Sequence, residues 1–183
     1  MKVVSIGLIE LGSIARGIEV TDVMLKAGQV ELSFSKTVCP GKYMVMVYGD
    51  VGAVKASMAA GLACGGSAVV NHLTIPRLHP SVLPAINAVV SVGQVNAVGV
   101  VEYFDIASAI VGADAAAKAA RAELIQVRLG MGIGGKSFFT LTGDVADVKA
   151  AVDAGLYEAK QRGAVVASVV IPAPDPRLFK EML

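Results

Sequence analysis

The chain has 183 residues, of which 55% are hydrophobic and only 5% aromatic, with 20 glycines and a formal net charge of +1. This length allows one large or two small domains with a real core. The near-zero net charge excludes the basic surface that drives non-specific nucleic-acid binding. Charged residues such as Glu10, Arg16 and Asp22 interrupt the apolar stretches before any of them reaches the length of a membrane span. Two cysteines are too few for a disulfide framework and indicate thiols in a reducing compartment.

A strand and a capped helix are predicted at the start of the chain. Residues 3–9 are β-branched and apolar, as in a buried strand. Ser13 suits the N-cap of the helix that follows. Apolar spacing predicts that the inward face of this helix consists of Ile14, Ile18, Thr21, Leu25 and Gly28.

A hairpin and a second helix come next. Residues 32–38 and 43–48 are predicted strands, and Pro40-Gly41 between them is typical of a hairpin turn. Asp50 is predicted to cap a helix that ends near Gly65. The residues predicted to face inward on this helix are Val51, Val54, Met58 and Leu62.

A last strand over residues 68–75, closed by Pro76, completes the order βαββαβ. This order predicts a ferredoxin-like domain, in which two helices pack against an antiparallel sheet.

The second half of the chain repeats the first. GDVGAVKA at 49–56 returns as GDVADVKA at 143–150, IGLIELGSIARG at 6–17 as VGVVEYFDIASA at 98–109, and IPRLHP at 75–80 as IPAPDP at 171–176. Asp105 takes the place of Ser13 and predicts a second capped helix. The fold class is therefore predicted to be α+β, with two tandem βαββαβ domains over residues 1–90 and 95–183, joined near 81–95.

The stretch GMGIGGKS, residues 130–137, fits the phosphate-binding pattern G-x-x-x-x-G-K-[ST]. That pattern functions only between a strand and a helix, where a helix N-terminus meets the phosphate. Here it lies between predicted strands 124–129 and 137–141, and the next helix begins only at Asp144. The match is interpreted as accidental, and a ferredoxin-like oligomer that binds a small molecule, or that binds or hydrolyses a nucleotide, stays as an alternative function.

GDVGAVKA after a strand, an upstream helix ending in Lys-Ala, and the closing IPRLHP resemble the bacterial microcompartment (BMC) domain. Two copies in unpermuted order resemble the tandem-domain shell proteins, and the likeness covers essentially the whole chain. The resemblance implies a homotrimeric, pseudohexameric tile that packs edge to edge with other shell proteins around encapsulated enzymes. It implies a structural role without catalysis, a location in the cytoplasm within a microcompartment shell, and no nucleic-acid or membrane partner.

The resemblance also implies residues at the rim of the tile. Lys26 and Lys118 stand at matching positions near the ends of the first helix of each copy. Both correspond to the family's edge lysine, whose stem packs against the neighbouring tile. Arg77 matches the family's arginine that docks into the adjacent tile, whereas the second copy has Ala173 there. The alternative for the lysines is a solvated side chain favoured by the helix dipole.

The hairpin loops, residues 38–42 and 131–137, correspond to the family's pore loops. The residues predicted to line the pore are Cys39, Pro40, Gly41, Gly132, Ile133, Gly134, Gly135 and Ser137. Some relatives carry a cysteine at the position assigned to Ser137, where three copies bind an iron–sulfur cluster. Because a hydroxyl does not normally replace thiolate in such clusters, no resident cofactor or metal is predicted. An electron-relay tile, with Cys39 as the remaining thiol in these loops, is the alternative.

Overall fold

The computed structural model describes residues 5–90, 93, 95–160 and 165–178, without the side chain of Ala159. Val3 and Val4 of the first predicted strand, and residues 91, 92 and 94 of the predicted join, lie outside this part. The described residues form two compact units. One unit contains residues up to 78 together with 131–135, and the other contains 79–130 together with the residues from 136 onward.

The first domain has the predicted βαββαβ order. Its strands and helices are β1 (Ser5–Leu11), α1 (Ile14–Ala27), β2 (Glu31–Val38), β3 (Lys42–Gly49), α2 (Val51–Gly65) and β4 (Val69–Pro76). The four strands form one antiparallel sheet in the order β2-β3-β1-β4. The backbone N–H of Arg16 donates to the side chain of Ser13, and that of Ala53 donates to Asp50. Both predicted helix caps are therefore confirmed.

The second domain repeats this arrangement. After the short helix α3 (Val82–Ile86) its elements are β5 (Ala97–Tyr103), α4 (Ile106–Ala119), β6 (Glu123–Leu129), β7 (Ser137–Gly143), α5 (Val145–Lys160) and β8 (Val165–Pro172). The sheet order is β6-β7-β5-β8. Asp105 caps α4 by accepting from the backbone N–H of Ser108 at 2.8 Å. The α+β class with two tandem ferredoxin-like domains is thus confirmed, and α3 lies in the stretch predicted only as a join.

The inward face predicted for α1 is largely wrong. Gly17, Val20, Thr21 and Met24 are the buried residues, whereas Ile14, Ile18 and Leu25 are exposed. A Cβ atom at Gly17 would lie 2.3 Å from Cδ1 of Tyr43, so the helix approaches the sheet through its smallest residue. Apolar residues occupy two adjacent stripes of α1, and spacing alone cannot distinguish the stripe that contacts the core.

The inward face predicted for α2 is only partly right. Val54 and Met58 are buried in the core cluster, Leu62 is half-buried against it, and Val51 is exposed. Val51 is the first residue of the helix, where the chain enters from the sheet. Among the described residues, no helix combines the length and apolarity needed to cross a bilayer.

Candidate pore loops and tile edge

Strand pairing fixes how the two hairpin loops correspond. Leu11 pairs with Tyr43 in the first sheet, and Tyr103 pairs with Ser137 in the second. Tyr43 and Ser137 therefore hold the same position in the repeat, and the second loop is the longer one. In this longer loop the backbone N–H of Gly130 donates to the carbonyl of Lys136 at 3.1 Å, which closes the hairpin.

Each loop ends in a lysine that pairs with a glutamate of the central strand. Lys42 Nζ lies 3.5 Å from Glu10 Oε2, and Lys136 Nζ lies 2.5 Å from Glu102 Oε1. Glu10 is buried, whereas Glu102 and both lysines are partly accessible. The Gly-Lys pair at the end of each loop thus serves to anchor the hairpin to the sheet.

This pairing bears on the phosphate-binding pattern. Lys136, the lysine of GMGIGGKS, is already engaged by Glu102, and Ser137 begins a strand. The nearest following helix, α5, starts at Val145. Without a helix N-terminus after the lysine, the loop lacks the helix N–H donors with which this pattern holds a phosphate.

Residues 131–135 of the second loop belong to the compact unit of the first domain, where they lie against its loop. Gly135 has φ +82°, and a Cβ atom there would stand 2.9 Å from the carbonyl oxygen of Cys39. Gly132 and Gly134 also have positive φ, but a Cβ atom at either would meet nothing within 4 Å. Gly135 is therefore required by a close contact as well as by its conformation.

A cavity of about 450 Å³ opens where the two loops meet. Residues of both loops line it together with the start of α1: Ile14, Thr37, Val38, Cys39, Gly41, Met131 and Gly132. Sequence reasoning included Cys39, Gly41 and Gly132 but missed Ile14, Thr37, Val38 and Met131. Met131 falls inside the predicted loop range, whereas helical periodicity assigned Ile14 to the core.

Ser137 is not among the residues that line this cavity. Its side chain is fully buried at the start of β7, and its register equivalent is the ring-bearing Tyr43 of β3. Ser137 was predicted to line the pore, but its side chain is buried within the chain because the pleat turns this position inward. The partly exposed sulfur-bearing side chains near the loop surface are Cys39, a free thiol of intermediate burial, and Met131.

The two predicted edge lysines share a local pairing but differ in their surroundings. Lys26 Nζ lies 2.6 Å from Asp22, and the two side chains are largely exposed. Lys118 Nζ lies 2.5 Å from Asp114, which is buried and also accepts from the backbone N–H of His79 at 2.7 Å. Each lysine stands in the last turn of its helix, as predicted.

Arg77 and Ala173 share an unusual backbone conformation. Arg77 has φ 61° and Ala173 has φ 47°, directly after β4 and β8 respectively. Both residues are exposed. Left-handed geometry is rare for residues other than glycine, and its recurrence makes this turn a feature of the repeat. Within the described residues, no group of three histidine, cysteine or acidic side chains gathers as a metal site.

Comparison with known proteins agrees with the duplicated fold. The BMC-domain family model matches residues 5–78 and 97–174. The microcompartment shell protein PduT of Citrobacter freundii is 44% identical over 179 residues, which cover 98% of this chain and 97% of PduT. A crystal structure of a microcompartment protein from Desulfitobacterium hafniense superposes with a TM-score of 0.93 at 51% identity, covering 98% and 99% of the two chains. A fused permuted hexameric shell protein is more distant, with a TM-score of 0.63 at 28% identity and coverage of 85% and 81%.

Two tandem βαββαβ domains, each matched by one family model, define a tandem-domain shell component. The chain belongs to the BMC-domain family of microcompartment shell proteins. Its role is structural rather than enzymatic, and its place is the shell of a bacterial microcompartment. The unpermuted element order predicted from the repeat is the order that the structure has.

Proposed function

We propose that three chains form a pseudohexameric facet tile, in which the two hairpin loops of each chain surround a central aperture for small polar solutes. The observation that carries this proposal is the convergence of the loops: residues 131–135 belong to the compact unit of the first loop, where Gly135 lies against Cys39 and Pro40. Closed rings are the usual form of homo-oligomers. Three copies of two similar domains close such a ring with six-fold pseudosymmetry.

The chemistry of the aperture follows from the loop residues. Glycines at positive φ leave backbone N–H groups uncovered by side chains, and these groups attract polar or anionic solutes. The thioether of Met131 and the apolar side chain of Ile14 line the cavity beside them. A channel of this composition has few fixed charges and therefore discriminates by size and hydrogen bonding.

Multi-angle light scattering tests the assembly. A trimer of 18.7 kDa chains has a mass of about 56 kDa, and a stable monomer at micromolar concentration would contradict the proposal.

Met131→Trp tests the aperture, because this exposed loop residue can be replaced by a larger one without entering a packed core. In intact shells that contain a reporter enzyme, the variant should slow turnover of a small polar substrate. Broken shells of the same preparation, which should turn over at the unaltered rate, serve as the control.

A second candidate function is electron transfer through an iron–sulfur cluster at the loops. The observation that favours it is the partly exposed free thiol of Cys39, together with the burial of Ser137. Since Ser137 is not at the loop surface, its identity does not argue against a cluster. One chain supplies one thiolate here, and three chains around an axis would supply three of the cysteine ligands that such clusters use.

Iron and acid-labile sulfide in anaerobically purified protein distinguish the two functions. A colourless protein without stoichiometric iron supports the plain tile. If a cluster is present, Cys39→Ser should abolish it, whereas the matched variant Cys64→Ser, at the other free cysteine, should retain it. Retention of the cluster in Cys39→Ser would exclude these loops as its site.

A further inference from the structure

The segment that follows each domain begins with the same backbone geometry. After β4, the backbone N–H of Val82 donates to the carbonyl of His79 at 3.1 Å. After β8, at the same positions of the repeat, the N–H of Leu178 donates to the carbonyl of Asp175 at 3.0 Å. Both segments follow a left-handed residue, Arg77 or Ala173. We name residues 77–86 the first tail and residues 173–178 the second tail.

The side chains at the start of the two tails also act alike. His79 Nδ1 accepts from the backbone N–H of Ser81 at 3.4 Å, and Asp175 Oδ1 accepts from the backbone N–H of Arg177 at 2.8 Å. The Arg177 side chain and then its backbone N–H hold the pKa of Asp175 below its usual value. Asp175 therefore stays ionised at neutral pH, and the second tail begins with the same local hydrogen bonds as the first.

The two tails differ in what they contact. The first tail packs on the second domain, where α3 contacts β6 and α4. The backbone N–H of His79 donates to the buried carboxylate of Asp114, and Val82, Leu83 and Ala85 are buried. In the second tail, Leu178, which takes the position of the buried Val82, is 43% exposed.

The surface that the first tail covers in the second domain has a bare counterpart in the first domain. Ile110, Ala117 and Leu124 are at most 7% exposed, whereas the residues at the same positions of the repeat, Ile18, Leu25 and Leu32, are 58%, 39% and 41% exposed. Asp114 and Lys118 form an ion pair that recurs as Asp22 and Lys26. We call Ile18, Asp22, Leu25 and Leu32 the α1–β2 surface.

We propose that the second tail of one chain docks on the α1–β2 surface of a neighbouring chain, as the first tail docks within its own chain. The backbone N–H of Asp175 donates to the Asp22 carboxylate of the neighbour, and Leu178 covers part of the exposed apolar stripe. Asp175 and Arg177 neutralise each other, so the tail brings no net charge to the Asp22–Lys26 pair. This inference rests on the proposed trimer and adds the segment that connects its chains.

Directed disulfide formation tests the contact. In a Cys39→Ala/Cys64→Ala background, Asp22→Cys with Asp175→Cys should form a disulfide between chains, because a backbone-to-carboxylate hydrogen bond brings the two residues within bridging reach. Oxidised protein should then run as two and three linked chains on a denaturing gel. His79→Cys with Asp114→Cys, the same pair one repeat earlier, is the matched control and should close within single chains.

Deletion of residues 175–183 gives an independent measurement. Loss of a hydrogen bond to a charged group and of apolar cover should raise the concentration at which trimers half-dissociate by about tenfold or more. If the natural chain is trimeric by light scattering, but the Asp22/Asp175 pair does not link chains while the control closes, the docking is wrong and the trimer stands. An unchanged dissociation concentration after deletion would contradict the docking equally. A monomeric natural chain would instead remove the proposed trimer, and the docking with it.

Discussion

The first helix of the second domain is buried along most of its length, whereas the matching helix of the first domain leaves one apolar stripe exposed. Both helices begin at a side-chain cap and end at a paired lysine. They differ because a join precedes the second domain and covers it, and no such segment is described ahead of the first. Two copies of one fold in a single chain are therefore unequal, and the exposed stripe of the first copy is the surface on which the proposed docking rests.

The two domains also accommodate a tyrosine beneath the first helix in different ways. Gly112 of α4 faces the hydroxyl of Tyr103, which a Cβ atom would approach to 2.1 Å, and that hydroxyl donates to the carbonyl of Gly155 at 3.2 Å. Gly17 of α1 faces the ring of Tyr43 instead. Burial raises the pKa of Tyr103 far above its usual value, so it remains a neutral donor at physiological pH.

The largest loss of stability is expected when alanine replaces Gly112 or Gly17. Gly112→Ala should destabilise the chain by about 3 kcal/mol and Gly17→Ala by about 1–2 kcal/mol, because Tyr103 is fully enclosed whereas the buried Tyr43 keeps 8% of its surface exposed. Adding Tyr103→Phe should recover part of the loss in Gly112→Ala, since it removes the clashing atom. Adding Tyr43→Phe should recover nothing in Gly17→Ala, where ring carbons make the contact. Denaturant unfolding of both double-mutant cycles measures this, and equal coupling in the two domains would contradict it.

The next comparison concerns the longer hairpin loop. Gly134→Ala and Gly135→Ala both force a side chain into left-handed geometry, at a cost of about 1–2 kcal/mol. Only Gly135→Ala also meets the Cys39 carbonyl, so we expect it to lose about 1 kcal/mol more. Thermal or denaturant unfolding of the pair isolates the contact between the loops. Equal losses for the two variants would show that the loops do not touch.

Substitution of the two loop lysines should lower the free energy of unfolding by different amounts. The larger loss is expected for Lys42, although its distance to its glutamate is the longer one. Lys42→Met removes the lysine that pairs with the buried Glu10 carboxylate and should cost about 2–3 kcal/mol. Lys136→Met acts on a pair with accessible partners and should cost less than about 1 kcal/mol, despite the shorter contact. Raising the salt concentration should weaken the Lys136 pair more. A larger loss for Lys136→Met in denaturant unfolding would mean that distance outweighs burial here.

Among these variants, Lys26→Asp is expected to change the stability of the chain least and the assembly of tiles most. Its pair with Asp22 is exposed, so Lys26→Asp should change the free energy of unfolding by only about 0.5 kcal/mol. At a tile edge the same change recurs around every perimeter, and extended sheets seen by electron microscopy should disappear while trimers persist. Lys55→Asp makes the same charge change at an exposed position of α2 and should leave the sheets intact. Sheets that survive Lys26→Asp would remove this lysine from the edge.

Periodicity and caps predicted the elements of both domains because Ser13, Asp50 and Asp105 act locally on the backbone that follows them. The inward stripe of α1 was not predictable from spacing, since Ile14, Ile18 and Leu25 have the pattern of a core face although they are exposed within the chain. Burial of Ser137 depends on strand register, which places it opposite Tyr103. Aligning the sequences of the two hairpin loops does not reveal that register. The matching lysines of the two loops can be recognised in the sequence. Their partners Glu10 and Glu102 cannot, because the pairing depends on which strands are neighbours in the sheet.

Electron microscopy of the isolated natural protein tests the pseudohexameric tile most directly. Class averages viewed along the short axis should show a six-lobed ring with three-fold symmetry, in which two kinds of lobe alternate around a central opening. Alternation is expected because the two domains differ in loop length and surface. Particles with two lobes, or rings with two-fold symmetry, would contradict the account.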